Sequence, residues 1–338
     1  MTGPDPRRAL RLVVMGTGPF AVPMFGALVG SRHAVAALVT RPDRAAPGRR
    51  PPPNPMRAAA LAAGVPVLDP ADVNDAEAIA AVAGLAPDVL VVCDYGRILA
   101  PRLLEAAPLG GINLHGSLLP RHRGAAPVQW AILEGDRVTG ACVIHMTPAL
   151  DAGGVIASRA TPIGPHETAA ALEARLAALG PELVLGAIDE LARPDRPPGP
   201  CGTPQDAALV TRAPRLTKAD GIVAWSQPAA RIARLPRALD PWPRATTFLR
   251  VPGHAPVRLV VVEAEEGRGP RPADPAAPGT ILRAGPDGIE VACGDGGTVV
   301  VTRVVPEGKR PMAVGEFLLG RFVGPGASMG PGEGAPGA

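Results

Sequence analysis

No stretch of this 338-residue chain approaches the roughly 18 consecutive apolar residues that a membrane-spanning helix needs. Nothing in it is therefore read as crossing a bilayer. The segment Met1 to Phe20 carries Arg7, Arg8 and Arg11, but its apolar stretch is short and runs into a glycine turn. That is the pattern of a first strand, not of a secretory leader. Cysteine is scarce: Cys93, Cys142, Cys201 and Cys293 lie far apart with no C-x-x-C, so neither a zinc site nor a disulfide framework is expected. A reducing cytoplasm and a metal-free site are the corresponding expectations. Lysine is nearly missing, since Lys218 and Lys309 are the only two among 34 basic residues. The net charge of +3 is too small to mark a nucleic-acid binder by itself. No internal repeat is visible.

Glycine and proline are abundant instead, 41 and 43 residues, close to the level at which disorder becomes a concern. Apolar runs such as Leu10 to Met15 and Val89 to Val92 nevertheless recur at domain-like intervals. Arg, Ala, Gly and Pro share GC-rich codons, a simpler cause than low complexity. With 46% hydrophobic residues the chain reads as globular, and its length suggests two domains.

The first half alternates strand and helix. Leu10 to Met15 is a strand, Gly16-Thr17-Gly18-Pro19 a turn, and Phe20 to Val29 a helix. Ala34 to Thr40 is the next strand, followed by a Pro- and Arg-rich loop from Arg41 to Pro55 and a helix around Met56 to Ala63. Val65 to Leu68, Asp88 to Val92 and Gly111 to Leu114 read as further strands, with a helix at Asp75 to Ala83. This pattern predicts an α/β domain, a Rossmann-like, doubly wound, mostly parallel sheet whose ligands gather outside the carboxyl ends of the strands. Thr168 to Ala192 reads as one long helix that Gly180-Pro181 must kink or break. Arg193 to Asp206 holds five prolines and marks the domain boundary. Beyond it come a short helix around Pro228 to Arg237 and strands at Val257 to Val262, Gly279 to Leu282, Gly288 to Ala292 and Thr298 to Val304. These predict a smaller all-β domain, an OB-like barrel. The domain reading is a catalytic domain over 1–193, a Pro-rich linker over 194–206, a β-barrel over 207–322 and a disordered Gly-Pro tail over 323–338.

Two segments carry candidate chemistry by residue type alone. Gly16-Thr17-Gly18-Pro19-Phe20-Ala21 matches G-x-G-x-x-G/A between a strand and a helix, the dinucleotide fingerprint, with Asp43 roughly where a ribose-binding acid would stand. Against it, Pro19 removes an N–H from the turn, and Asp43 lies past the second strand in the loop. The alternative is simply a tight turn needing glycine. Asn113-Leu114-His115-Gly116-Ser117-Leu118-Leu119-Pro120 is the second segment. Asn113 and His115, two apart on a strand, share a face at its carboxyl end. An amide donor beside an imidazole suits a carbonyl oxygen becoming an oxyanion. An isolated N-x-H, though, more often satisfies a loop backbone. Asp151, before Ala152-Gly153-Gly154, reads alone as a turn former.

Taken together these segments resemble the folate-dependent formyltransferases. The resemblance rests on Asn113, His115, Ser117 to Pro120, Arg123 to Pro127, Gly135-Asp136, Thr139-Gly140 and Leu150-Asp151-Ala152-Gly153. It extends to Arg41-Pro42-Asp43-Arg44, to Tyr95-Gly96, and in the second domain to Arg215-Leu216-Thr217-Lys218, Asp240-Pro241-Trp242-Pro243, Pro278-Gly279-Thr280 and Gly308-Lys309, covering roughly residues 10 to 320. The resemblance implies transfer of the formyl group of 10-formyltetrahydrofolate to the α-amino group of methionine on initiator tRNA. Asn113, His115 and Asp151 would be the catalytic group, without metal or covalent intermediate. Ser117, Leu118, Leu119 and Pro120 would lie against the folate, and Asp94, Tyr95, Gly96 and Ile98 would form the pterin pocket. The loop carrying Arg41, Arg44, Arg49 and Arg50 would reach the acceptor arm. The first turn departs from the family's G-T-P-x-F-A, and prolines replace basic residues at 51–53.

Charge supports an RNA face in the second domain. From Thr203 to Val262 nine basic residues stand against three acidic, while Glu263 to Ala338 has seven against ten. Arg212, Arg215 and Lys218, with Arg231, Arg234 and Arg237, are the expected phosphate-tracking residues. Other acceptors within the same chemistry are a sugar nucleotide or glycinamide ribotide. The reading from a different class is a nicotinamide-dependent oxidoreductase. Initiator tRNA and folate are the expected partners, no membrane is, and a monomer is the expected assembly.

Overall fold

Strands that are apolar on both faces must be covered on both sides, and Arg11–Met15 and Val89–Val92 are of that kind. The computed structural model describes residues 8–43, 54–197, 199–269, 275–321, 323–324 and 326–332. Their contacts divide into two compact units. The first comprises Met1–Val128, Val138–Pro162 and Leu172–Pro214; the second comprises Gln129–Arg137, Ile163–Ala171 and Arg215–Ala338.

The first unit is built on β1 (Arg11–Met15), β2 (Ala34–Val39), β3 (Val67–Leu68), β4 (Val89–Val92), β5 (Gly111–His115), β6 (Val138–His145) and β7 (Val155–Pro162). Their order is β3-β2-β1-β4-β5-β6-β7. The first five strands pair in parallel, as the strand–helix alternation requires, and β6 and β7 extend the sheet antiparallel. Leu12, Val13, Val14 and Met15 are wholly buried. Side-chain caps start two of the covering helices: Asn54 accepts from the Arg57 amide at 3.0 Å and Asp75 from the Ala78 amide at 2.7 Å. The long helix expected after Thr168 is two helices, Ala169–Ala177 and Gly180–Leu191. At Gly180 a Cβ would lie 2.7 Å from Leu114 Cδ2, so any larger residue would have to displace that side chain, and Pro181 fits the open first turn.

The Pro-rich segment read as a linker belongs to the first unit. Thr203 and Val155 exchange backbone hydrogen bonds of 2.8 Å in both directions, so the segment from 199 onward lines the sheet instead of spanning between domains.

In the second unit, β8 (Ala245–Arg250), β9 (Val257–Glu266), β10 (Ile281–Gly285), β11 (Gly288–Ala292), β12 (Thr298–Pro306), β13 (Met312–Ala313) and β14 (Ser328–Gly330) form one antiparallel sheet. The path runs β10-β11-β12-β9-β8-β14, with β13 on β12. Bonds from Ile281 N to Ala327 O and from Met329 N to Gly279 O bring the two ends together, so the sheet is a nearly closed barrel. Residues 328–330, placed by the sequence in a disordered tail, therefore form an edge strand paired with β8. Glycine and proline around it hid the signal. Trp225, Leu259, Ile289, Val299 and Phe317 pack the interior, and the Trp225 indole donates to Thr247 Oγ1 at 3.0 Å.

Within this unit, helix Ala229–Ala238 turns three arginines inward. Arg231 pairs with Glu134 at 2.7 Å and lies over the Trp130 ring, Arg234 Nε donates to Leu133 O, and Arg237 donates to Glu167 O. Burial lowers the affinity of Arg234 and Arg237 for their protons. Each of the three arginines expected to track phosphates thus has a partner in its own unit, Arg231 a carboxylate and Arg234 and Arg237 a carbonyl. No helix among the described residues is long and apolar enough to cross a membrane.

Candidate active site

β5 runs between β4 and β6, with Asn113 opposite Val92 and Ile144, and His115 opposite Cys142. Strand alternation sends Ile112 and Leu114 to one face, both buried, and Asn113 and His115 to the other. Asp151 arrives on the loop that joins β6 to β7. The three side chains meet. Asn113 Nδ2 donates to Asp151 Oδ1 at a long 3.4 Å, and His115 Nδ1 lies 3.8 Å from Asp151 Oδ2. His115 Nε2 is 2.9 Å from the His122 carbonyl. A carbonyl only accepts, so Nε2 carries a proton and Nδ1 is the nitrogen left to face the carboxylate.

The loop that carries Asp151 is held by several close approaches. Asp151 itself has a φ of 48°, in the left-handed region. At Gly153 a Cβ would fall 1.6 Å from the His145 carbonyl, so only glycine lets the chain turn there. The Gly124 amide donates to Asp151 Oδ2 at 2.9 Å. Gln205, which the sequence reading left in the linker, is the main anchor. Its amide group donates to the carbonyls of Asp151 and Gly153, both at 2.8 Å. Its Oε1 accepts the two-pronged guanidinium of Arg123 at 3.0 and 2.7 Å. Arg123 is fixed in turn by backbone pairing with Thr211 and Ala213. A lone Gln after a run of prolines was the only sequence signal available for this role. His122 contributes through its backbone, from a left-handed φ of 59°.

Ser117 is fully buried and its hydroxyl donates to the Arg121 carbonyl at 2.7 Å, which tightens the turn that follows β5. Leu118 packs onto Gly140, and the Leu119–Pro120 bond is cis. The loop after β4 places Tyr95 inside and Ile98 outward, 69% exposed. Asn74 brackets this loop, donating to Ile98 O and accepting from Ala100 N. Asp94 is exposed to solvent as a residue, while its carboxyl is turned toward Gly18, where a Cβ would lie 1.7 Å from Oδ2. Burial pushes its pKa up to about 6, repulsion from Glu173 adds to this, and Arg41 opposes it. Glu173 is itself shifted upward by burial. Burial also raises the Cys142 thiol to about 12 and Cys93 well above its ordinary value, which leaves both as inert core thiols.

The glycine turn after β1 is closed to a pyrophosphate. Gly16 N donates to Val39 O, while Thr17 N and Gly18 N both point to Asp94 O at 3.1 and 3.5 Å. Its amides are thus engaged, and a carboxyl occupies the space beside Gly18. Of the residues expected to meet RNA, Arg41 is exposed, whereas Arg44, Arg49 and Arg50 lie outside the described residues. Arg212 is exposed in the first unit and bridges by its backbone to Arg123, which the Gln205 side chain ties to the Asp151 loop. Arg215 and Lys218 are exposed in the second.

Comparison with known proteins agrees with this architecture. Residues 10–188 match the Formyl transferase family and residues 215–321 match Formyl transferase, C-terminal domain. A methionyl-tRNA formyltransferase of Rhodopirellula baltica is 45% identical over 330 residues, covering 94% of this chain and 96% of the relative. One from Citrifermentans bemidjiense is 40% identical, covering 95% and 96%. Among solved structures, WlaRD, a sugar 3N-formyl transferase, superposes with a TM-score of 0.60 at 12% identity, over 90% of this chain and 100% of that one. HypX from Aquifex aeolicus, in complex with tetrahydrofolic acid, gives 0.55 at 17% identity, over 92% and 47%. The two solved structures share the fold. The two relatives and both matched domains go further: the chain belongs to the methionyl-tRNA formyltransferase family.

Proposed function

We propose that this chain transfers the formyl group of 10-formyltetrahydrofolate to the α-amino group of methionyl initiator tRNA. The observation that carries the reading is the meeting of Asn113, His115 and Asp151 at the carboxyl end of β5, with His115 Nε2 already spent on the His122 carbonyl.

That tether decides which atoms work. With Nδ1 protonated, His115 is an imidazolium beside a carboxylate, and Nδ1 donates to the oxygen on which negative charge develops during acyl transfer. Asn113 Nδ2 is the second donor, and its long bond to Asp151 is weak enough to be exchanged. Asp151 accepts the proton that the attacking amine gives up. The amine reacts only when neutral, and α-amino groups have pKa values of roughly 7.7–8.0. One C–N bond forms and one breaks. The proton lost by the amine ends on the departing nitrogen, so His115 and Asp151 return to their starting states.

The folate, when bound, supplies the activated formyl carbonyl. The loop after β4 fits such a heterocycle: among the described residues no backbone hydrogen bond engages the amides of Gly96 and Arg97, and Ile98 offers an exposed apolar face beside them. Asp94, Tyr95, Gly96 and Ile98, with Ser117 to Pro120, are the residues assigned to hold it. On the acceptor side Arg41, Arg44, Arg49 and Arg50, with Arg212, Arg215 and Lys218, are assigned to phosphates.

A sugar nucleotide or glycinamide ribotide would need the same chemistry, but the match to the C-terminal domain and the full-length relatives favour tRNA. The engaged amides of the glycine turn argue against a dinucleotide oxidoreductase. The test is formyl transfer from 10-formyltetrahydrofolate to charged initiator tRNA, with uncharged tRNA and free methionine as controls. Product from the charged tRNA alone is the expected result. Folate consumption with another amine or water, and none with the charged tRNA, would move the acceptor elsewhere.

A further inference from the structure

Away from the catalytic cluster, at the carboxyl ends of β1 to β4, the first unit holds a cavity of about 180 Å³. It is reached from the glycine turn and the start of the loop after β2, the two segments that resemble a nucleotide fingerprint. Thr17 and Asp43, one from each, both line it. Pro42, Pro70 and Ala71 give it an apolar wall, which edges of the buried Val73 and Tyr95 complete. Arg41 and Arg97 add two guanidinium groups, each close enough to act on the Tyr95 phenol. The Asp43 carboxylate is fixed by Arg57 at 3.0 Å and by one long bond from Asn54, which leaves Oδ1 able to accept another hydrogen bond.

We infer that this cavity is a subsite for a single nucleoside 5′-monophosphate unit. The cavity is smaller than the roughly 300–1,000 Å³ of pockets that enclose a drug-sized ligand, so it takes part of one nucleotide while the rest stays in solvent, and the engaged amides of the glycine turn leave no cradle for a pyrophosphate. The chemistry fits one nucleotide in three parts. The Pro42, Pro70 and Ala71 surfaces take the apolar face of a base, Asp43 takes a ribose hydroxyl, and Arg41 with Arg97 take the phosphate. The unit can come from a nucleotide of the acceptor strand or from a free nucleotide. The first source rests on the proposed function; binding itself does not.

The test is calorimetric titration of the full chain with AMP and CMP, with ribose 5-phosphate and inorganic phosphate as comparison probes. The A71W variant, which fills the cavity, and A71E, which places a negative charge in its wall, are titrated alongside, and thermal melts establish that they fold. The expected result is that AMP or CMP binds at least ten-fold more tightly than ribose 5-phosphate, and that both folded variants lose that preference. Competition between the nucleotide and charged tRNA in formyl transfer identifies the acceptor strand as the source; binding without competition identifies a free nucleotide. Nucleotides that bind no better than phosphate, or binding undiminished in folded A71W and A71E, overturn the inference. A protein that binds nucleotide but transfers no formyl group would overturn the proposed function and leave the subsite standing.

Discussion

Replacing Gln205 by alanine is the most informative perturbation, because this residue touches no reacting atom yet holds the loop that carries Asp151. The change removes donors to the Asp151 and Gly153 carbonyls and the acceptor of the Arg123 fork. Neutral hydrogen bonds contribute about 0.5–1.5 kcal/mol each and bonds to a charged group about 1.5–3 kcal/mol. All three groups are only partly buried and water replaces some of the loss, so a destabilisation of about 2–3 kcal/mol is expected. The effect on catalysis is separate. Asp151 sits at a left-handed φ that its surroundings must enforce, and a displacement of about 1 Å costs on the order of 100-fold in rate. Steady-state kinetics should show kcat down by roughly that factor, with KM for folate and for tRNA within about three-fold of the parent. Q205E is the control: it can still accept from Arg123 but cannot donate to the two carbonyls, and it should be as slow as Q205A. A lowered Tm with parental kcat, or full activity in Q205E, would refute the positioning argument.

Four further outcomes are expected. H115A and N113A should each lower kcat by about 100- to 1,000-fold, the usual cost of one preorganised donor, and D151N by about 100- to 10,000-fold, the usual contribution of a general base, while far-UV circular dichroism and Tm stay near the parent; wild-type rates would remove the assignment. For Asp94 the sign is set by its raised pKa. Between 3.8 and about 6 the folded carboxyl holds its proton more tightly than the unfolded one, so its contribution to stability is highest below 3.8 and falls as pH rises through about 6. D94N should therefore match the parent Tm near the acid end and exceed it at neutral pH, and parallel Tm curves against pH would contradict this. R49A and R50A should weaken tRNA binding and reduce the salt slope, by about 0.7–0.9 per lost phosphate contact. R234A, by contrast, should lower Tm by leaving Leu133 O without its donor, with the salt slope of tRNA binding unchanged.

The parallel half of the first sheet was legible because its signal is local. Val89–Val92 is apolar on both faces, and the glycine turn marks where β1 ends. The antiparallel pair β6 and β7 was not legible, since Val155–Pro162 alternates too weakly to separate from a loop. β14 was hidden for another reason: three residues between glycines carry no periodicity, and only pairing with Arg250, Leu249 and Phe248 makes them a strand. The inward turn of Arg231, Arg234 and Arg237 shows the limit of charge counting. Net charge says how many guanidinium groups a segment has but not what they face, and here they face Glu134 and two carbonyls.

The candidate site divides along the same line. Asn113 and His115 were legible as a pair because strand alternation puts residues two apart on one face. Asp151 needed a resemblance, since nothing local to Ala152-Gly153-Gly154 distinguishes a catalytic carboxylate from a turn former. The parts that give the cluster its direction are backbone parts: the His122 carbonyl fixes which imidazole nitrogen is free, and the Gly124 amide fixes one carboxylate oxygen. Every non-proline residue has such groups, so sequence cannot point to the ones that matter. Gln205 is the intermediate case, a side chain whose role exists only because the chain folds back 54 residues after Asp151 to meet it. The proposed site therefore combines residues of two kinds, those whose chemistry is visible in their names and those that contribute only a position. The kcat loss expected of Q205A measures the second kind directly.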